Sequence, residues 1–475
     1  MAAGASPDAL AATMRARGAR GRDPARLPEA LTALLIAVMA VVVVWNAFRY
    51  PSVSGYDAEI DIEYARTLVT DWRIPTELPN YYTPPGFFLL AGPLVELGDV
   101  LGLSDVADLG QLLNGALTVG TAILLAALCA IVFPGRAWLR FAAVAFFVSC
   151  PIVLKTAAMF HPQPLAAFLA TLALVLAARM LKDRRYGVGA ALALGLAVGA
   201  GQLVRSVGVW TLGVVCIALL VAAIARAAER RTALRALVIV GVVGVLVALP
   251  WYVYLQTRYS NPIFGRTSAP SSLFVAPGLV PGRSAAPAPF RLVAAAPLPS
   301  QRLWFYVDPG LPEVITAPHR AKLAPGFWPI LYTDMWGDYY GVWKWGSIQK
   351  PITEPVENRL TVQAVVGVLP TFLAAAGLFA LAGLAVARVR SRPELLLVPL
   401  MPLVALAGTL YYARSYPTVD GDTVKALFVL PAVPAFALCF GFAVETIARR
   451  SRSMAVILGV LLTVCLVVSL AFGIA

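Results

Sequence analysis

Apolar residues run along almost the whole chain in near-continuous blocks, interrupted by short clusters of arginine and lysine. Eleven blocks, near 30–48, 106–133, 137–154, 161–181, 187–204, 206–226, 233–254, 361–387, 394–412, 424–447 and 453–473, read as membrane-crossing helices. Helices of about 20 residues span the hydrocarbon core with every backbone group bonded internally. The blocks are continuous instead of alternating, so they do not predict a transmembrane β-barrel.

The segment 86–101 tests the topology, because it is apolar yet contains Pro93, Glu96, Asp99 and three glycines. If it does not cross, the clusters Arg136/Arg140, Lys182/Arg184/Arg185, Arg226/Arg230/Arg231/Arg235, Arg388/Arg390/Arg392 and Arg449/Arg450/Arg452 share one side with the N-terminal arginines. If it crosses, all of them land outside, against the positive-inside rule. We therefore expect a re-entrant or interfacial helix at 86–101. This divides the chain into a cytoplasmic basic tail (1–28), a transmembrane module (29–254) with an outer loop at 49–105, a large outer loop (255–360) and C-terminal transmembrane helices (361–475). The stretch 265–300, biased to Ala, Pro, Ser and Gly, reads as a lid or linker.

Composition agrees: of 475 residues 60% are hydrophobic and 13% charged, and the mean hydropathy is +0.78. Soluble enzymes, disordered chains and disulfide-stapled modules are excluded. The net charge of +13 sits in inter-block clusters, as cytoplasmic loops require, and no nucleic-acid module is present. The five cysteines all lie inside apolar blocks without a CxxC pattern, which predicts neither a disulfide nor a zinc site.

Candidate chemistry concentrates in the first outer loop. Asp57, Glu59, Asp61 and Glu63 fall within seven residues; on a helix Asp57 and Asp61 share one face and Glu59 and Glu63 another. Such a cluster serves either a solvated loop helix or a site. The continuation Asn80-Tyr81-Tyr82-Thr83-Pro84-Pro85-Gly86-Phe87-Phe88 leads into the interfacial segment. An acid soon after the first span, an Ala-rich amphipathic helix and a Tyr-x-Pro-Pro element resemble the GT-C membrane glycosyltransferases. These include protein O-mannosyltransferases, the aminoarabinose transferase and arabinofuranosyltransferases.

Met159-Phe160-His161-Pro162-Gln163-Pro164-Leu165 is similar to that family's outer turn, with Gln163 where an acid is usual, and Asp422-Thr423-Val424-Lys425-Ala426-Leu427-Phe428 to a late basic-aromatic segment. The chain departs from the family at Ala58, where a second acid is common, and at Asp61, where His is frequent. The resemblance implies an all-α GT-C-like bundle and transfer of a sugar from a polyprenyl-phosphate donor to a glycan, lipid or protein acceptor. It implies inverting chemistry on the outer face of the plasma membrane, with Asp57 as the catalytic base and Glu59 and Asp61 as helpers or ligands of a possible divalent cation.

The chemistry of such a transfer suits this layout independently. One carboxylate must take the acceptor proton, while cations stabilise charge on the departing phosphate. Lys155, Arg205, Arg414 and Lys425 stand at the outer ends of spans, where they either snorkel or outline a phosphate pocket; Arg205, Lys155 and Lys425 are the expected donor-phosphate ligands. Tyr82 and His161 are candidate substrate contacts, His161 suiting a structural hydrogen bond first, a sugar hydroxyl second and a metal ion third. Trp336 and Asp338 lie in an aromatic run that fits either a sugar platform or an interfacial belt, and Trp336-Gly337-Asp338-Tyr339 matches the WWDYG element of oligosaccharyltransferases only in part. The alternative function is a transporter or flippase of a lipid-linked saccharide, which requires ionisable residues near the bilayer midplane; a non-catalytic envelope-assembly subunit is the third.

Overall fold

The computed structural model describes residues 26–259, 300, 302–310, 312–320, 322–345, 351–415 and 423–475, and every regular element among them is helical. Most of the tail expected at 1–28, Asp422 and all of the 265–300 stretch except Ser300 lie outside the described residues. The helices are α1 (Arg26–Ala47), α2 (Ala58–Thr70), α3 (Gly86–Val100), α4 (Asp108–Val132), α5 (Ala137–Ser149), α6 (Pro151–Ala157), α7 (Gln163–Asp183), α8 (Val188–Val204) and α9 (Gly208–Ala225). They continue as α10 (Arg230–Tyr259), α11 (Trp304–Val307), α12 (Glu313–Thr316), α13 (Phe327–Trp336), α14 (Glu354–Ala387), α15 (Leu397–Ser415), α16 (Val433–Arg450) and α17 (Arg452–Phe472).

Among the described residues nine helices are long and apolar enough to cross a membrane, or ten if α5 and α6 count as one span. These two meet at a 59° bend, where Pro151 supplies no backbone N–H. The α8 helix is shorter, at 17 residues. With it, the helices overlie the eleven apolar blocks, and the chain is an all-α polytopic membrane protein.

The α3 helix, 15 residues long, is not among the candidate spans. One face buries Phe87, Phe88, Ala91 and Val95, while Leu89, Leu90, Leu97 and Val100 are exposed. Its partner is α2, which buries Ala58, Asp61, Ile62, Ala65 and Leu68 at helical spacing. Gly92 allows the approach, since a Cβ there would lie 2.8 Å from the Ala65 carbonyl oxygen. Tyr64 stacks on Phe88 with ring centroids 4.2 Å apart, and its hydroxyl donates to the Thr83 carbonyl at 3.0 Å. This pair forms a small satellite core beside the main bundle.

The basic clusters meet at one end of the bundle. The Arg226 guanidinium donates to the carbonyls of Leu181, Arg390 and Ser391 at 3.0, 2.9 and 2.8 Å. Lys182 donates to Ile131 at 2.7 Å, and Arg136 pairs with Glu445 at 3.2 Å. The α2–α3 pair lies at the other end, reached through α4, whose 25 residues make it about 37 Å long.

At that second end a buried ion pair joins distant segments. Lys155 on α6 and Asp334 on α13 are both 0% exposed, with Nζ 2.9 Å from Oδ1. Lys155 also donates to the carbonyls of Asp334 and Gly337, at 3.1 and 3.3 Å, and to the Tyr56 hydroxyl at 3.0 Å. The Tyr56 hydroxyl in turn donates to Asp334 Oδ1, and the second carboxylate oxygen accepts the Ala426 N–H at 2.7 Å. Lys155 is thus enclosed and fully engaged, which corrects its expected place on a donor phosphate.

Stripping one partner from an enclosed pair leaves an uncompensated charge. We predict that Asp334→Ala lowers stability by about 3–5 kcal/mol, read as a fall in the thermal midpoint of the detergent-solubilised protein. Lys155→Met combined with Asp334→Leu should recover part of that loss. A single variant as stable as the wild type would contradict the assignment.

Candidate active site

The short path from Tyr56 to α2 sets the first site residue. Asp57 is the N-cap of α2 with φ 54° and ψ 19°, and its side chain makes no capping hydrogen bond. Asp tolerates this left-handed backbone better than most residues. The carboxylate is turned instead toward Lys425, whose Nζ lies 3.7 Å from Oδ2, with side-chain exposures of 57% and 21%. A pair this long and this wet contributes of order 0–1 kcal/mol.

Asp57 and Lys425 belong to the wall of a cavity of about 320 Å³. The same wall holds Asp61, Asn80, Tyr82, His161 and Arg205. Arg205 caps the C-terminus of α8 in extended conformation and sits over the Phe428 ring, 5.8 Å from its centroid. Lys425 faces the rings of Tyr56 and Tyr340 at 5.6 and 5.9 Å. The start of α9 and the end of α15 contribute an apolar side that includes Val209, Trp210, Gly408 and Tyr411. At Gly408 a Cβ would fall 2.2 Å from the Trp210 ring, so the two helices close on each other there through a glycine. Val209 and Tyr411 are exposed outward, which places this mouth between two candidate membrane spans.

Asp61 lies one turn along α2 from Asp57, on the buried edge, and accepts the Asn80 amide N–H at 2.6 Å. Burial, and next the Asp57 charge, hold its carboxyl well above the usual carboxylate range against the opposing pull of Arg205, Asn80 and Lys425. His161 follows α6 and is buried; burial, and next the Arg205 charge, keep its imidazole well below the ordinary value. The neutral ring accepts the Gln163 backbone N–H on Nδ1 at 3.2 Å, which assigns the proton to Nε2. Asn114 of α4 fixes this turn by donating to the carbonyls of Met159 and His161 at 2.8 and 2.9 Å.

Six of the residues singled out in the sequence, Asp57, Asp61, Tyr82, His161, Arg205 and Lys425, therefore line one cavity. Four others do not. Glu59 is exposed on the far side of α2 and does not line it. Lys155 is sealed beneath, as described above. Trp336 is 1% exposed, with its indole N–H on Thr371 Oγ1 at 2.8 Å. Asp338 accepts four consecutive backbone N–H groups, of Val342, Trp343, Lys344 and Trp345, at 2.7 to 3.1 Å. Trp336 and Asp338 are thus structural, not a sugar platform. Among the described residues no three His, Cys, Asp or Glu side chains converge; of the two acidic helpers, Asp61 lines the cavity and Glu59 does not. Asn80, Trp210 and Phe428 complete the wall; the Asn80-Tyr81-Tyr82 run carries a signal for the first, being polar directly before a buried helix.

The architecture has close counterparts. The chain superposes on the apo oligosaccharyltransferase of Archaeoglobus fulgidus with a TM-score of 0.54 at 14% identity, over 93% of this chain and 56% of that one. Against AglB of the same organism, in complex with an inhibitory peptide and a dolichol-phosphate, the TM-score is 0.53 at 13% identity, over 93% and 55%. The chain has the GT-C fold. ArnT of Cupriavidus metallidurans bound to undecaprenyl phosphate aligns with a TM-score of 0.48 at 17% identity, over 91% of this chain and 63% of that one. The chain spans little more than half the length of the oligosaccharyltransferases it matches. No family profile and no curated sequence matches it. Within the GT-C fold, the cavity is framed by the α2–α3 loop, the α6–α7 turn, the α8–α9 junction and the segment before α16.

The Asp61 environment generates a stability test. Asp61 holds its proton more tightly folded than unfolded, so its contribution to stability is complete below the unfolded carboxylate range. That contribution is lost as pH rises through the elevated folded value. Asp61→Asn keeps an oxygen for Asn80 and removes the charge. We predict a variant at least as stable as wild type at neutral pH, with a margin of about 1–2 kcal/mol that shrinks on acidification. Thermal midpoints of both proteins from pH 4 to about pH 8 check this; a margin that is flat or reversed would contradict the shifted carboxyl.

Proposed function

We propose that the chain is a membrane glycosyltransferase that moves a sugar from a polyprenyl-phosphate donor to a hydroxyl of a glycan, lipid or protein acceptor. The observation that carries this reading is one cavity in which a half-exposed carboxylate, Asp57, stands beside two cations, Lys425 and Arg205. Dolichol-phosphate bound to AglB, which shares the fold, supports a lipid-phosphate ligand.

In this reading Arg205 and Lys425 bind the donor phosphate, and the polyprenyl chain leaves through the apolar mouth between α9 and α15, over Val209, Trp210 and Tyr411. Asp57 accepts the acceptor hydroxyl proton as that oxygen bonds to the anomeric carbon from the side opposite the phosphate. The carbon–oxygen bond to the phosphate breaks, the configuration inverts, and polyprenyl phosphate departs with its new charge held by the two cations. His161, neutral and donating from Nε2, orients a sugar hydroxyl, as does Tyr82. The arginine loops at the opposite end of the bundle support a cytoplasmic N-terminus and a cavity on the outer face of the plasma membrane.

The test is transfer from radiolabelled polyprenyl-phosphate sugars in membranes carrying matched amounts of wild type and Asp57→Asn. The expected outcome is a loss of about 10²–10⁴-fold in transfer with polyprenyl-phosphate binding retained. No transfer by the wild type across a broad donor and acceptor panel, together with saccharide-lipid translocation in proteoliposomes, would replace the enzyme by a flippase.

A further inference from the structure

Lys425 faces two anions in the reading above: Asp57, which it touches, and the donor phosphate, which it is to bind. One ammonium group does not neutralise both equally well. We propose that Lys425 serves them in turn, pairing with Asp57 before the donor arrives and passing to the phosphate on binding, so that the donor itself withdraws this cation from the base. This inference rests on the proposed function.

Four observations carry it. The Asp57–Lys425 contact is 3.7 Å long, with the carboxylate 57% exposed. Charge-assisted hydrogen bonds of this type close to about 2.7–2.9 Å when they are strong, so this pair is loose enough for a better anion to compete for the lysine. The backbone beneath the lysine is fixed, because the Ala426 N–H is held by buried Asp334 at 2.7 Å; only the flexible stem can move. Tyr56 and Tyr340 present ring faces to the ammonium group, and such faces attract a cation without neutralising its charge. Arg205 stands in the same wall, so a phosphate lying between it and Lys425 meets two cations, whereas Asp57 offers the lysine a single half-solvated carboxylate.

The order of events follows. Without the donor, the ammonium group blunts Asp57 as a proton acceptor. When the phosphate draws Lys425 away, the carboxylate loses that cation and becomes the better acceptor for the hydroxyl proton, which moves only when a sugar is in place to receive the oxygen. Coupling of this kind is reciprocal: if Asp57 competes with phosphate for Lys425, removing its charge must tighten phosphate binding even though the same change abolishes transfer.

The experiment measures binding of farnesyl phosphate to the full-length protein in detergent, by calorimetry, for wild type, Asp57→Asn, Lys425→Met, the double variant, and Lys425→Arg with and without Asp57→Asn. Each protein is first checked for monodispersity and thermal midpoint. We expect Asp57→Asn to bind the probe about five-fold or more tightly than wild type, to lose most of that gain in the Lys425→Met background, and to regain it with Lys425→Arg. Equal tightening in both backgrounds would mean simple repulsion between Asp57 and phosphate and would overturn the exchange, as would no tightening at all. Either result leaves the proposed function standing if transfer is still lost in Asp57→Asn. Failure of both wild type and Asp57→Asn to bind the probe would remove the donor site, and the exchange with it.

Discussion

The buried Asp334 carboxylate is the point from which the cavity end of the molecule is hung. A carboxylate with no exposed surface is prohibitive unless its lone pairs are used, and here they are taken by Lys155, the Tyr56 hydroxyl and the Ala426 N–H. Those three groups come from parts of the chain far apart in sequence. Two of them are immediate neighbours of Asp57 and Lys425. The distance between the proposed base and its cation is therefore set by a group that lines neither side of the cavity, and the solvation demand of one acid becomes the geometry of the site.

The same demand explains which parts of the molecule were legible in the sequence. The spans are written in local hydropathy, and Pro93, Glu96 and Asp99 set the segment of α3 apart from them; α3 is not among the candidate spans. Six cavity residues could be named because they lie in polar or aromatic runs at the ends of spans. Lys155 shares that position, but nothing local distinguishes a lysine that faces a cavity from one that meets an acid 179 residues away. A signal did exist: Asp334 stands inside the otherwise apolar run of α13, where an acid must have a partner. Asp338, by contrast, lies at the foot of a tight turn, and its four backbone partners are contacts that no side-chain pattern announces.

The two ends of the bundle use charge in opposite ways. At the arginine-rich end, side chains such as Arg226 tie loops together through backbone carbonyls, so positive charge serves as mortar between short connections. At the cavity end, the wall cations Arg205 and Lys425 rest on aromatic faces. A cation on a ring is held in place but only partly neutralised, and it keeps its field available to an anion. This difference in partners, more than any difference in composition, separates a scaffold from a site.

The left-handed backbone at Asp57 has an implication for how this position can vary. Outside glycine, that conformation admits chiefly asparagine and aspartate, because a longer or branched side chain crowds its own peptide. The backbone thus works as a filter on inheritance: a drift from aspartate to glutamate, neutral in charge, meets a conformational toll before any question of catalysis arises. Variation at this site is thereby channelled toward a two-letter alphabet, one letter acidic and one not, so that on the proposed reading the active form and a silenced one stand a single substitution apart with little of the fold at stake.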